Sequence, residues 1–407
     1  MGKLSGVACR LSCVVGLMLS GSVAAEEKSR APASSDDRPF AIALVDPSGR
    51  PVQGARVGNG REQWDYPDSY QEKGWNGTLI RWNIGGRRLP PAISDKDGTV
   101  TLPYRRVFRS GRGRRPLYAW HQPTGLVGLH MLAHDADSRS IRITLQPACH
   151  VFGEVHSSGL KEAQVPLLEA RAALHWEQDN ASVLHHSSSE GRFEFLLPVG
   201  DYVLRVTGWG RGAGGPGSGG LPLNAHEHAF TVKQGQRSLD LGVVDLKPTA
   251  LGKLVGKPAP GLQQIRDWKN TTPIKLVDLK GKVVLHEFWG HWCGPCVGNM
   301  PFLFDVYDRY AKHGLVVLAI HDNRVGSIEE MNKKLEGVRA RMWEGRDLPF
   351  PVALDSGDGH GATHEAYHIS RWPTSLLVDR NGTLAHVFRS GPSWDVIERI
   401  LDIKKEE

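Results

Sequence analysis

Hydrophobic and polar positions change their rhythm once along this chain, near residue 250. Before that point apolar residues alternate or cluster in short runs between turn signals; after it, short apolar runs alternate with stretches of helical period. Phe40 to Val45 reads as a strand, Asp46-Pro47-Ser48-Gly49 as a turn, and Pro51 to Val57 as the next strand. Thr99 to Tyr104, Leu117 to Trp120, Leu126 to Leu132 and Ile141 to Leu145 continue the pattern with no 3.6-residue period between them. Residues 38–147 therefore predict a β-sandwich. A second all-β stretch, residues 148–247, opens with Val151 to His156, and in its clearest strand Phe193 and Phe195 alternate after the turn Ser189-Glu190-Gly191. Asp97-Gly98 precedes Thr99 at the matching place in the first stretch, which reads as a duplicated module. The Trp-rich insert from Gly58 to Pro91 and the basic loop Arg109 to Arg115 belong to no predicted strand. The Gly-Pro-Ser run from Gly208 to Gly220 reads as a mobile loop.

From Gly256 the elements alternate. Val283 to Phe288 predicts a buried strand, Val297 to Lys312 a helix, Leu315 to Ile320 a strand and Ile328 to Trp343 a helix, which implies an α/β layer with a parallel portion. Ser375 to Val378, the turn Asp379-Arg380-Asn381-Gly382 and Thr383 to Phe388 make an antiparallel hairpin, and Ser393 to Lys404 closes with a helix. The expected architecture is multidomain: two β-sandwich modules followed by an α/β domain over residues 250–407, its mixed sheet flanked by helices.

Composition narrows the classes. A chain of 407 residues is too long for one domain at roughly 150 residues each. With 40% hydrophobic and 23% charged residues it is neither a polytopic membrane protein nor wholly disordered. The formal charge of +6 is spread thinly instead of gathered in a basic stripe, so nucleic acid is not the implied partner. Residues 1–25 carry Lys3 and Arg10, an apolar run from Leu11 to Leu19 and Ser22-Val23-Ala24-Ala25, the pattern of a signal peptide with a small-residue cleavage site. That run falls short of the ~20 residues needed to span a bilayer. Residues 26–37 read as a tether. The expected product is exported to the periplasm or cell envelope and is not an integral membrane protein. Cys9 and Cys13 precede or begin the apolar run instead of closing it, which argues against an acylated lipoprotein.

Three cysteines then remain, too few for a disulfide framework, and the spacing of two of them carries the chemistry. Trp292-Cys293-Gly294-Pro295-Cys296 follows a predicted strand and opens a predicted helix, the context of a redox C-x-x-C. At the helix start, unpaired N–H groups and the helix dipole favour a thiolate, which makes Cys293 the nucleophile. Cys296, one helical turn on, is the resolving thiol, and Pro295 fits the first turn, where no hydrogen bond is lost. Half of a zinc site is the alternative, but it needs a second ligand pair and no second C-x-x-C exists.

These residues resemble the thioredoxin superfamily, and within it the exported TlpA/ResA-like thiol-disulfide oxidoreductases. Glu287-Phe288-Trp289-Gly290-His291-Trp292-Cys293-Gly294-Pro295-Cys296 matches the family's motif, and Trp372-Pro373-Thr374 matches its cis-proline loop. The resemblance implies that Pro373 is cis and lies against the cysteines, that Trp292, Gly294, Pro295, Trp372 and Thr374 line the substrate groove, and that Glu287 stands where the family keeps a buried acid. Burial would raise the pKa of such a carboxyl, letting it take the Cys296 proton; a partly solvated glutamate is the rival reading. No cofactor is implied beyond the redox-active disulfide. The implied partners are protein disulfides or dithiols, with electrons from a membrane donor. The stretch Val45 to Val57 with Asp95 to Leu102, and Gly153-Glu154-Val155 with Gly191 to Tyr202, resemble carboxypeptidase regulatory-like modules, which bind or space and do not catalyse.

Two other functions stay open. A peroxiredoxin-like thiol peroxidase would need Thr or Ser near a lone cysteine, where this chain has Gly290-His291-Trp292. A binding protein with a redox-sensing domain is the other. Several signals are weaker than they look. His364-Glu365-Ala366-Tyr367-His368 satisfies the H-E-x-x-H of zinc proteases, with His360 close by, yet a chain with 18 histidines produces such matches and a short surface helix is the expected explanation. Asp95-Lys96-Asp97-Gly98 lacks the acidic twelfth residue of a calcium loop and reads as a turn. His226-Glu227-His228 reads as a solvated strand face, and Cys149 as a buried apolar residue.

Overall fold

The computed structural model describes residues 39–59, 92–103, 115–132, 139–176, 181–188, 190–211, 219–388 and 391–403. The predicted leader and tether, most of the Trp-rich insert and all of the basic loop except Arg115 lie outside them.

The first strands are β1 (Phe40–Val45), β2 (Arg56–Asn59), β3 (Ala92–Ile93), β4 (Thr99–Leu102), β5 (Arg115–His121), β6 (Leu126–Leu132), β7 (Ser140–Thr144) and β8 (Gln146–Pro147). They form two sheets, β4-β1-β7 and β3-β2-β5-β6-β8. Phe40, Ile42 and Leu44, every second residue of β1, are fully buried in a core shared with Val57, Leu117 and Ile143, the period of two that a strand imposes. The strand expected from Pro51 begins only at Arg56. Residues 51–55 turn back instead: Val52 N–H donates to Leu44 O (2.9 Å), and Ala55 N–H donates to the Ser94 hydroxyl (3.0 Å).

Next come β9 (Cys149–His156), α1 (Ser158–Glu162), β10 (Leu167–Trp176), β11 (Ala181–Ser188), β12 (Arg192–Leu197), β13 (Gly200–Arg211), β14 (Gly219–Pro222), β15 (His226–Val232) and β16 (Ser238–Asp245). Their pairing repeats that of the first group. β9 lies antiparallel to β12 and parallel to β16, as β1 lies to β4 and β7. The order β11-β10-β13-β15 likewise mirrors β3-β2-β5-β6. Even the entry turns agree, since Leu44 N–H donates to Gly98 O (2.8 Å) and Val155 N–H to Gly191 O (2.7 Å). The run expected to be a loop from Gly208 is strand through Arg211 and again from Gly219; only 212–218 lie outside the described residues. A side chain at Gly210 would collide with Leu160, so glycine there serves close packing and not mobility. Tyr118 and Trp120 of β5 join the core of the second group, and Tyr118 Oη donates to Leu196 O (2.7 Å). Cys149 is a free thiol buried in that core.

The remaining elements are β17 (Asp267–Lys269), β18 (Val283–Trp289), α2 (Gly294–Tyr310), β19 (Leu315–His321), α3 (Ile328–Met342), β20 (Val352–Leu354), α4 (Ala362–Ala366), β21 (Thr374–Val378), β22 (Leu384–Phe388) and α5 (Trp394–Leu401). The sheet runs β22-β21-β18-β19-β20-β17; β18, β19 and β20 pair in parallel, while β21 pairs antiparallel with both β18 and β22, and β17 antiparallel with β20. Every residue of the central β18 is buried, as a strand covered on both faces requires. Beyond β22 the sheet does not stop. Gly219 and Gly220 of β14 pair with Phe388 and Val387, so one eleven-stranded sheet runs from the second β group into the α/β domain, and the strand that would have been an open edge is covered. No described helix is long and apolar enough to cross a membrane.

One core residue carries a measurable burden. His286 on β18 is fully buried between Tyr367 and Phe288 with neither ring nitrogen hydrogen-bonded, and burial pushes its pKa down to about 3. Below pH 6.5 the unfolded chain takes a proton that the folded chain refuses until about pH 3, so stability falls by about 1.4 kcal/mol per pH unit in that window. His286→Leu should therefore gain on the parent by ~2 kcal/mol between pH 7 and pH 5. Urea midpoints at the two pH values test this, and a constant difference between the proteins would count against it.

Candidate active site

β18 ends at Trp289, and four residues later Cys293 caps α2. Its Sγ accepts from Cys296 N–H (3.2 Å), its N–H donates to Gly290 O (3.1 Å), and its carbonyl accepts from Val297 N–H (3.0 Å). The two cysteines form a disulfide with Cα atoms 5.2 Å apart. Cys293 is 5% exposed and Cys296 is fully buried, while Gly294 and Pro295 between them are exposed. The arrangement puts Cys293 sulfur against the free N–H groups of a helix start, where negative charge is favoured, and leaves Cys296 shielded behind it.

Glu287 lies two residues before the end of β18 and is fully buried. Ser375 Oγ, from the facing position on β21, donates to its Oε2, whereas Oε1 has no hydrogen-bond partner. Burial pushes its pKa up to about 7, with the Ser375 hydroxyl and the nearby Asn299 amide pulling the other way. The partly solvated alternative is thereby set aside. Near neutral pH this carboxyl can both give and take a proton.

The Trp372-Pro373 peptide bond is cis. Pro373 is half-buried, and Thr374 is buried with its hydroxyl donating to Arg371 O (2.8 Å). Trp292, 40% exposed, meets half-buried Trp372 edge to face with ring centres 5.5 Å apart. The Trp292 indole folds over Gly290, where any side chain would collide with it.

Four residues at this site escaped the sequence analysis. Asp322, just beyond β19, is buried, accepts from Trp292 Nε1 (2.8 Å) and from Arg324 N–H (3.3 Å), and pairs with the Arg324 guanidinium. Burial alone would raise its pKa, but hydrogen bonds from His321, Trp292 and the Arg324 backbone outweigh that and hold it low. His321, fully buried, accepts the His291 backbone N–H at Nε2 (3.0 Å), so its proton sits on Nδ1, which donates to Asp322 O (2.8 Å). The His291 ring stacks on it at 5.2 Å, and its pKa is lowered by burial and then by His321. The Arg324 guanidinium lies 4.0 Å over the Trp292 ring. The available signal was position: polar residues ending the buried strand beside the cysteine strand, where open α/β sheets place their sites.

The H-E-x-x-H segment is not the surface helix expected. α4 forms, but His364 is fully buried and its Nδ1 donates to buried Asp355 (2.8 Å), while His368 lies beyond the helix at φ 54° and is exposed. The two histidines share no face. Asp95 accepts from Asp97 and Thr99 N–H (3.0 and 2.9 Å), the geometry of a turn, and His226 to His228 are exposed on β15.

The fold of residues 250–403 and the dithiol at its strand-to-helix junction define a thioredoxin-like domain, and residues 255–387 match the AhpC/TSA family. A thiol-disulfide oxidoreductase ResA from Bacillus thuringiensis subsp. konkukian is 30% identical over 148 residues, 36% of this chain and 76% of the relative. The chain thus belongs to the ResA-type thiol-disulfide oxidoreductases. Protein DipZ of Mycobacterium bovis is 32% identical over 146 residues, 35% of this chain, and the chain spans only a fifth (20%) of its length. Among solved structures, the thioredoxin-like superfamily protein SPOA0173 is 29% identical, covering 36% of this chain and 94% of its own, with a TM-score of 0.31.

Proposed function

We propose that this protein exchanges disulfides on exported proteins through Cys293 and Cys296, acting as a reductase. The observation that carries the reading is the Cys293–Cys296 disulfide capping α2, with a buried carboxyl of raised pKa on the strand beneath. In the reduced protein the Cys293 thiolate attacks one sulfur of a substrate disulfide, and the other sulfur leaves as a thiolate. Glu287 takes the Cys296 proton, and the Cys296 thiolate attacks Cys293 Sγ. That step releases the second substrate sulfur as a thiolate and closes the Cys293–Cys296 disulfide, so two electrons have passed to the substrate. Pro373 and Thr374 present substrate backbone beside Cys293, the exposed Gly294-Pro295 turn admits it, and Trp292 and Trp372 wall the groove. No bound cofactor takes part. The leader expected at 1–25 supports a site of action in the periplasm or cell envelope, with electrons returned by a membrane donor.

The two β modules, of shared strand order, are assigned as duplicated carboxypeptidase regulatory-like domains that bind or space the redox domain. Reduction of insulin disulfides by the purified chain, with dithiothreitol as electron source, tests the reading: turnover above the dithiothreitol blank is expected, and its absence leaves only a binding role. The AhpC/TSA match favours a second activity, peroxide reduction. Peroxide consumption faster than insulin reduction in the same assay would make it the main one.

A further inference from the structure

We infer that His364 and His360 are positioning residues that hold Trp372 against the groove, so that the H-E-x-x-H segment selects protein substrates instead of binding metal. The inference rests on the exchange reading above.

The chain of support starts at Asp355, which follows β20 and is fully buried. Its Oδ1 accepts from Ser356 and Thr363 N–H (2.9 and 3.1 Å), and its Oδ2 accepts from His364 N–H and Nδ1 (2.9 and 2.8 Å). Four donors fix the carboxylate, and the carboxylate fixes the imidazole and its tautomer: the proton is on Nδ1, leaving Nε2 an acceptor. That Nε2 is buried with no hydrogen-bond partner among the described residues. The Trp372 ring lies 5.9 Å from the His364 ring, and its Nε1, a donor, is also buried and unpartnered. His360 closes the other side, edge to face at 4.5 Å. Trp292 meets the front edge at 5.5 Å.

Trp372 is therefore gripped on three sides. The contacts are those of ring against ring, with the His364 ring itself anchored from behind by its bond to Asp355. The two tryptophan supports are linked as well, because Asp355 N–H donates to His321 O (3.0 Å), and His321 neighbours the Asp322 that holds Trp292. A zinc site would need His364 and His368 on one face, and they are not.

Loss of the grip should free the indole and weaken contact with a large substrate, with little effect on a disulfide too small to reach the wall. The test is steady-state reduction of insulin and of glutathione disulfide by the full chain, comparing the parent with His364→Phe, His364→Gln and His360→Ala. For insulin, KM should rise about tenfold in His364→Phe and about threefold in His360→Ala, with kcat little changed, the scale of one aromatic contact. His364→Gln, which keeps a donor for Asp355, should recover most of the loss. For glutathione disulfide all four proteins should agree within about twofold. Equal losses toward both substrates would reduce the histidines to structural residues and overturn the inference, as would unchanged insulin KM in His360→Ala. His360→Ala removes only a half-buried ring, so it decides the question even where His364→Phe melts early. A parent inactive on both substrates would sink the exchange reading itself.

Discussion

Cys293→Ser is expected to bring insulin reduction down to the uncatalysed level, a fall of roughly a thousandfold or more, since a lost nucleophile leaves only binding behind. Cys296→Ser should instead retain the attack and stall as a mixed disulfide with substrate. The asymmetry follows from place. Cys293 sulfur accepts the N–H of Cys296 at the start of α2 and keeps 5% exposure, whereas Cys296 lies one turn into the helix with none. Only the first position combines a stabilised thiolate with a route for substrate. Mass spectrometry of each variant after incubation with insulin reads the trapped species, and iodoacetamide on the reduced parent reads the reactivity order. Faster alkylation of Cys296 would reverse the assignment.

The dithiol was legible because its signal is local. Cys293, Pro295 and Cys296 lie within four residues, and the apolar run Val283 to Phe288 before them reads as a buried strand without help from the rest of the chain. Glu287 was legible through the resemblance, which singles it out from His286, the other polar residue of that run. His321, Asp322 and Asp355 were not, because each acquires its role from a partner in a different element: Asp322 matters through Trp292, in the turn before α2, and Asp355 through His364, in α4. The histidine segment, expected as a short surface helix, failed for the same tertiary reason, because Asp355 holds His364 in the interior. A pattern of spacing assumes that the helix continues, and α4 stops at Ala366, before His368.

The fold divided along similar lines. Strands bounded by strong turns, such as β1 and β6, match their expected limits residue for residue. β10 had no expected counterpart: Leu167 to Trp176 is built from Leu, Glu, Ala and Arg, which favour helices, yet Leu168, Ala170, Ala172 and Leu174 are buried with a period of two. Pairing with β11 on one side and β13 on the other overrides the local preference. The junction through β14 was invisible in principle, because its two paired glycines sit in a run whose composition says loop. That the redox sheet is continued by a β-module strand is a fact of tertiary pairing alone.

Glu287→Gln should separate what the site needs from what the fold would choose. The amide keeps the shape and can still accept from Ser375, but it cannot take a proton, so release of substrate from the mixed disulfide should slow by about a hundredfold at pH 7. The deficit should shrink as pH approaches the free-thiol value of about 8.5, where solvent removes the Cys296 proton unaided. Stability should move the opposite way. In the unfolded chain the carboxyl ionises at 4.5, and in the folded chain only at about 7. Between those values the folded state holds the extra proton, so the native protein loses stability as pH rises through the window and regains none above it. Glutamine escapes that cost, and above pH 7 the oxidised variant should be the more stable by ~3 kcal/mol, the advantage vanishing near pH 4. Denaturant midpoints at pH 4 and pH 8, set beside single-turnover release at pH 7, measure both effects on one pair of proteins. A slower variant that is also less stable at pH 8 would mean that Glu287 serves the core through its bond to Ser375. A slower variant that is more stable would mean that β18 carries a buried acid against its own folding preference, for the sake of one proton transfer.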